Sequence, residues 1–89
     1  MDEAALKRLR WRCRRGTQEL DVLLRRFLDE VFPYLDRDRQ AAFERLLAWE
    51  DDRLQACLLA GEGEAPLMDE ETAAIVTAIR RHAGLPPAP

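Results

Sequence analysis

An all-α fold, a compact single-domain bundle of about five short helices, is predicted from three observations on the 89-residue sequence. Apolar residues return at helical spacing: Leu20, Leu23, Leu24, Phe27, Leu28 and Val31 occupy i, i+3, i+4, i+7, i+8 and i+11. Such stretches are punctuated by capping Asp or Thr residues and by Gly or Pro. No stretch alternates with period two between hairpin turns, so no sheet is expected. The absence of an internal repeat argues against an array of paired helices.

The first helix is expected from about Asp2 to Arg14 or Arg15, with acids at its start and arginines at its end, as the helix dipole favours. Leu6, Leu9 and Cys13 are its apolar positions. Gly16 and Thr17 then mark a corner, since glycine tolerates positive φ after a helix and threonine is the better N-cap. The second helix should span Thr17 to Phe32 and stop at Pro33, which has no amide hydrogen. Its broad stripe makes it the central core helix.

Asp36 or Asp38 caps a third helix carrying Ala42, Phe43, Leu46, Leu47 and, near its end, Trp49. Asp51 is the expected N-cap of a short fourth helix presenting Leu54, Cys57 and Leu58, with Gly61 ending it and a loop over 61–66. Asp69 caps the fifth, whose inner face is Thr72, Ile75, Val76 and Ile79 and whose last turn holds Arg80, Arg81 and His82. The helical domain thus covers 1–84, and 85–89 (Leu-Pro-Pro-Ala-Pro) reads as a flexible tail. Phe32, Tyr34 and Trp49 are expected to pack in or against the core.

Composition narrows the chemistry. The chain is 47% apolar and 35% charged, without an apolar run near the ~20 residues of a membrane span. No signal or transit peptide is recognisable, so a cytoplasmic protein is expected. Cys13 and Cys57 suit neither a disulfide framework nor a zinc site and read as small core residues. With no serine, no asparagine and a single histidine, a serine triad cannot be written, and a thiol–imidazole pair would need His82 beside a cysteine on an apolar face. Asp51-Asp52 and Glu70-Glu71 read as helix-start acids, and Gly61-x-Gly63 lacks the third glycine and preceding strand of a dinucleotide site. The chain is therefore expected to be no enzyme, to hold no metal, and to bind no cofactor tightly.

Charge is unevenly spread around the net −3. Lys7, Arg8, Arg10, Arg12, Arg14 and Arg15 place six of the 14 bases in nine residues, leaving eight bases against 17 acids elsewhere. A purely structural account of the corner has Gly16 turning, Thr17 capping, and Arg15 neutralising Glu19. It leaves Trp11 beside Arg14 and Arg15 unexplained. An exposed ion pair contributes only ~0–1 kcal/mol, whereas Trp and Arg dominate protein-interface hot spots. Trp11, Arg14, Arg15 and Glu19 are thus candidate partner-binding residues.

The stretch Trp11-x-Cys13-Arg14-Arg15-Gly16-x-x-Glu19-Leu20-Asp21 resembles the signature of the SdhE-type FAD assembly factors of succinate dehydrogenase, and the acidic turn Glu50-Asp51-Asp52-x-Leu54 adds to the likeness. Thr17 stands where that family usually carries methionine, and Cys57 where an aromatic is common. The resemblance implies a non-enzymatic factor, monomeric when free, that binds the flavoprotein subunit of succinate dehydrogenase or of fumarate reductase. It also implies that FAD becomes covalently attached to that partner, which this chain contacts through the motif Arg15, Gly16 and Glu19, with Arg8, Trp11 and Arg14 extending the patch along the first helix and completing the six candidate partner-binding residues. The alternative from another class is nucleic-acid binding through the basic helix Lys7–Arg15, which the acidic remainder and a pI of about 5.1 disfavour. A third is a structural adaptor that leaves its partner's flavin content unchanged.

Overall fold

The computed structural model describes residues 2–60 and 69–85. Among them the chain forms five α-helical segments and no strand. Gly61, the 61–66 loop and the tail from Pro86 onward lie outside the described residues.

Helix α1 (Glu3–Arg12) starts where the Asp2 carboxylate accepts the Ala5 N–H at 2.8 Å. It buries Leu9 and, just past its end, Cys13. It stops short of Arg14 and Arg15, contrary to expectation. The physical reason lies further along: the Arg15 and Gly16 amides bond to the carboxylates of Asp21 and Asp51 rather than to preceding carbonyls.

Helix α2 (Gln18–Glu30) is capped by Thr17, whose extended backbone lets its hydroxyl accept from the Leu20 N–H. Leu20, Leu23, Leu24, Phe27 and Leu28 are all buried, and Val31 is half-buried. The helix ends at Glu30, two residues early, because Pro33 takes the chain into a 3-10 turn over Phe32–Tyr34. That turn buries Phe32 and turns Tyr34 outward, 86% exposed, so Tyr34 does not pack as expected.

Asp36 caps α3 (Arg37–Leu46), accepting from Arg39 N–H at 2.9 Å. Phe43 stacks on Phe27 with ring centroids 5.5 Å apart and meets Phe32 at 5.3 Å, joining α2, the turn and α3 into one aromatic core. Trp49, beyond the helix, is half-buried under the Arg53 guanidinium.

Helix α4 (Asp51–Leu54) runs into a wider π turn over Gln55–Leu59, closed by Ala60 N–H to the Gln55 carbonyl at 3.1 Å. Leu54, Cys57 and Leu58 face inward as predicted. Asp51 is not the N-cap. Glu50 holds that position without a side-chain bond, because the Asp51 carboxylate is turned to the α1–α2 corner.

Helix α5 (Glu70–His82) opens on Asp69, whose carboxylate accepts the Thr72 N–H at 2.7 Å. Hydrogen bonding from Thr72, aided by Arg45, holds that carboxyl below the usual carboxylate range. Thr72, Ile75, Val76 and Ile79 are buried against α2 and α3. Arg80 is also buried, and its Nη1 donates to the Leu58 carbonyl at 2.7 Å, serving the end of the π turn. Gly84, at φ +77°, ends α5 in a Schellman motif: its own N–H bonds to Arg81 O and Leu85 N–H to Arg80 O. Leu85 packs on the core.

An added Cβ at Gly84 would meet nothing within 4 Å. Gly84→Ala therefore measures the backbone cost alone, about 1 kcal/mol. A fall in Tm of roughly 5 °C is expected in a thermal melt.

Candidate docking site

The corner between α1 and α2 is built by carboxylates from two directions. Asp21, in the first turn of α2, accepts the Arg15 N–H. Asp51, at the start of α4, accepts the Gly16 N–H on Oδ2 at 3.2 Å and faces Arg15 Nη1 with Oδ1 at 3.4 Å. The other arm of the guanidinium, Nη2, donates to the Leu47 carbonyl just beyond α3. Arg15 is thus a strut fastening the corner to α3 and α4, with its side chain only 15% exposed. Its carboxylate partner is Asp51, not Glu19 as the structural account of the sequence supposed.

The remaining candidates lie on the outside. Glu19 and Gly16 are exposed, as are Arg8 and Arg14. Trp11 is 68% exposed, with the Arg14 guanidinium 4.6 Å from its ring centroid. The structure therefore divides the six predicted residues. Arg8, Trp11, Arg14, Gly16 and Glu19 sit at the surface, and Arg15 holds the corner from beneath.

Gly16 is not demanded by its own backbone. Its φ lies outside the left-handed region, and a Cβ there would make ordinary contact, 3.4 Å from Asp51 Oδ2. The positive-φ turn anticipated at this position is found instead at Gly84. Two hollows flank the first turns of α2. One, of about 350 Å³, is lined by Cys13, Arg14, Arg15, Asp21 and Arg25 among others. The second, of about 440 Å³, runs from Glu19 across Leu23 to Leu59, His82 and Leu85. Gln18 and Val22 belong to both and form the ridge between them.

Half of the basic run is spent within the chain. Arg10 pairs with Asp29 at 2.8 Å, Arg12 donates to the Glu44 carbonyl at 3.0 Å, and Arg15 is committed as above. The cysteines are core residues. Burial pushes the Cys13 thiol up to about 12, against the opposing pull of Arg15. His82 lies half-buried, its ring edge-on to Phe27 and its Nε2 3.7 Å from Glu30. No group of three or more His, Cys, Asp or Glu that could hold a metal occurs among the described residues, and no described helix is long and apolar enough to cross a membrane.

Sequence reasoning missed Asp21 and Asp51 as corner ligands. Asp51 reads in sequence as a helix-start acid within the acidic turn, and Asp21 only as the residue that closes the Trp11–Asp21 signature. It also missed the inward course of Arg80, which reads in sequence as a dipole-complementing base.

A small helical protein with one aromatic and arginine-rich corner held open on a fastened frame is the class this architecture defines. Its family follows from comparison. The family profile described as flavinator of succinate dehydrogenase matches residues 7–83, and the chain belongs to that family. It is 39% identical to the FAD assembly factor SdhE of Shewanella oneidensis over 83 residues, 93% of this chain and 98% of the relative. Against the factor of the same name from Idiomarina loihiensis it is 42% identical over 77 residues, 83% of this chain and 82% of the relative. The Pseudomonas aeruginosa factor is 58% identical over 50 residues, 56% of this chain and 60% of the relative. No solved structure matches the chain at a significant level.

Two outcomes are expected for stability. Arg15→Ala strands the Leu47 carbonyl and should cost about 1–3 kcal/mol in a denaturant melt, whereas Glu19→Ala and Trp11→Ala should stay within ~0.5 kcal/mol. For the thiol, the sign follows from the raised value. The contribution of Cys13 to stability is complete below pH 9 and is lost as pH rises towards about 12. At pH 8 a maleimide should accordingly label Cys13 only after denaturant is added, as read by mass spectrometry.

Proposed function

We propose that this chain is an assembly factor that binds the flavoprotein subunit of succinate dehydrogenase and promotes covalent attachment of FAD to it. Family membership supports the process, and the open corner carries the assignment of the site. Trp11 and Arg14 form an exposed aromatic–cation pair beside Gly16 and Glu19, a grouping that the fold does not need and that a protein interface uses. Gly16 has neither a backbone nor a packing reason within its own chain to be glycine. Close approach of a partner backbone supplies one.

The mechanism requires no reacting group on this chain. A protein that binds one conformation of its partner more tightly than others shifts the partner towards it, by no more than its differential affinity. Glu19 offers a directional acceptor, Trp11 and Arg14 an apolar and cationic anchor, and Arg8 extends the patch along α1. The ridge of Gln18 and Val22 between two hollows adds relief, and one end of the bundle can supply the ~800 Å² per partner of a standard interface. The flavin chemistry then proceeds inside the partner, with FAD bound there rather than here. The same reading extends to the flavoprotein subunit of fumarate reductase. Nucleic-acid binding is the weaker reading, because Arg10, Arg12 and Arg15 are occupied by acids and carbonyls of the chain itself.

The test is co-expression with the flavoprotein subunit in a host lacking its own factor, scoring flavin fluorescence of the denatured partner on a gel. The wild-type chain should raise covalent flavin, and Gly16→Arg or Glu19→Ala should remove most of that gain. Gly16→Arg is informative because the backbone there lies outside the left-handed region and an added Cβ meets only Asp51 Oδ2, at 3.4 Å, and a circular dichroism melt checks that the variant is folded. Wild-type flavinylation by both folded variants would overturn the assignment of the site.

A further inference from the structure

We propose that Asp51 is a positioning residue of the docking corner: one carboxylate grips the Gly16 N–H and the Arg15 guanidinium and so sets the conformation in which Gly16 and Glu19 meet a partner. The inference rests on the functional reading above and adds to it a residue from a different helix, 35 positions away from Gly16.

The geometry carries it. Residues between two helices have amides that no helical carbonyl accepts, and these need other partners. Here the two consecutive amides of Arg15 and Gly16 are taken by Asp21 and Asp51. Asp21 belongs to α2 and moves with the corner. Asp51 belongs to α4 and ties the corner to the α3–α4 junction. Its side chain remains 46% exposed, so water competes with its bonds and the core does not require it. At the start of α4 its backbone opens the helix whatever its side chain does, since the N-cap is Glu50. What the carboxylate alone contributes is the fixed setting of the corner.

Pre-organisation of this kind acts on affinity. A corner released from Asp51 samples other conformations, and docking must then order it again at an entropic cost. The effect reaches the partner through the setting of Gly16 and Glu19.

The test uses the full chain and its purified flavoprotein partner. In Asp51→Ala, exchange of the Gly16 amide should rise about tenfold while core amides such as Phe27 and Ile79 keep their protection. Affinity for the flavoprotein subunit should weaken about tenfold. Asp51→Asn keeps an oxygen for the Gly16 N–H and should recover part of both losses, and Asp52→Ala should match wild type in both. An unchanged Gly16 exchange rate in Asp51→Ala, or wild-type affinity despite its release, overturns the positioning role and leaves the functional reading intact. Failure of the wild-type chain to bind the flavoprotein overturns the functional reading, and the docking role of Asp51 with it. Should Asp51→Ala unfold, the Asn variant decides. Wild-type affinity in a folded Asn variant whose Gly16 amide is released overturns the role, and weakened affinity supports it.

Discussion

The fastening of Arg15 is the constraint on which the arrangement of this molecule depends. One side chain reaches from the α1–α2 corner to the Leu47 carbonyl after α3 and to Asp51 at the start of α4. Two helix junctions, α1–α2 and α3–α4, therefore meet at a single guanidinium. Its planar fork suits the task, since separate N–H groups serve a carbonyl and a carboxylate at once. With the corner tied down, α1 is held against α2 although it buries little of its own surface, chiefly Leu9 and Cys13.

Beneath that tie lies an ordinary hydrophobic core. Phe27, Phe32 and Phe43 form its aromatic centre, and Ile75 and Ile79 of α5 close it. The core is sufficient to define where the helices lie, and polar groups refine how their ends are finished. Arg80 does at the π turn what Arg15 does at the corner, bringing guanidinium hydrogens to a carbonyl that no helix serves. In both places an arginine that sequence alone places at the surface is drawn inward by an acceptor from a distant element.

This division bears on how a family signature is to be understood. Arg15, Gly16 and Glu19 form one short motif, yet they stand in different physical situations. Arg15 is internal and holds the frame. Gly16 is external, and its own fold leaves room for a Cβ. Glu19 is exposed on the first turn of α2. A motif of this kind joins support and contact, so loss of function on mutating it has two distinct origins, and stability measurements separate them.

Sequence alone determined the all-α class, the inward faces of α2 and α5, and the caps at Thr17 and Asp69, and it narrowed the cap of α3 to Asp36 or Asp38. These follow from local rules: 3.6-residue periodicity and the hydrogen bond that a short capping side chain accepts from an amide two or three residues on. The outward position of Trp11, Arg14, Gly16 and Glu19 was also legible, because polar and aromatic residues there fell off the apolar stripe. Tertiary structure alone decided that Arg15 turns inward, that Asp51 leaves its capping role, and that the left-handed glycine is Gly84 rather than Gly16. Each of these depends on a partner more than thirty residues away or on the exact backbone path at a helix end. A charge in sequence carries no mark of which distant carbonyl or carboxylate folding will bring within its reach.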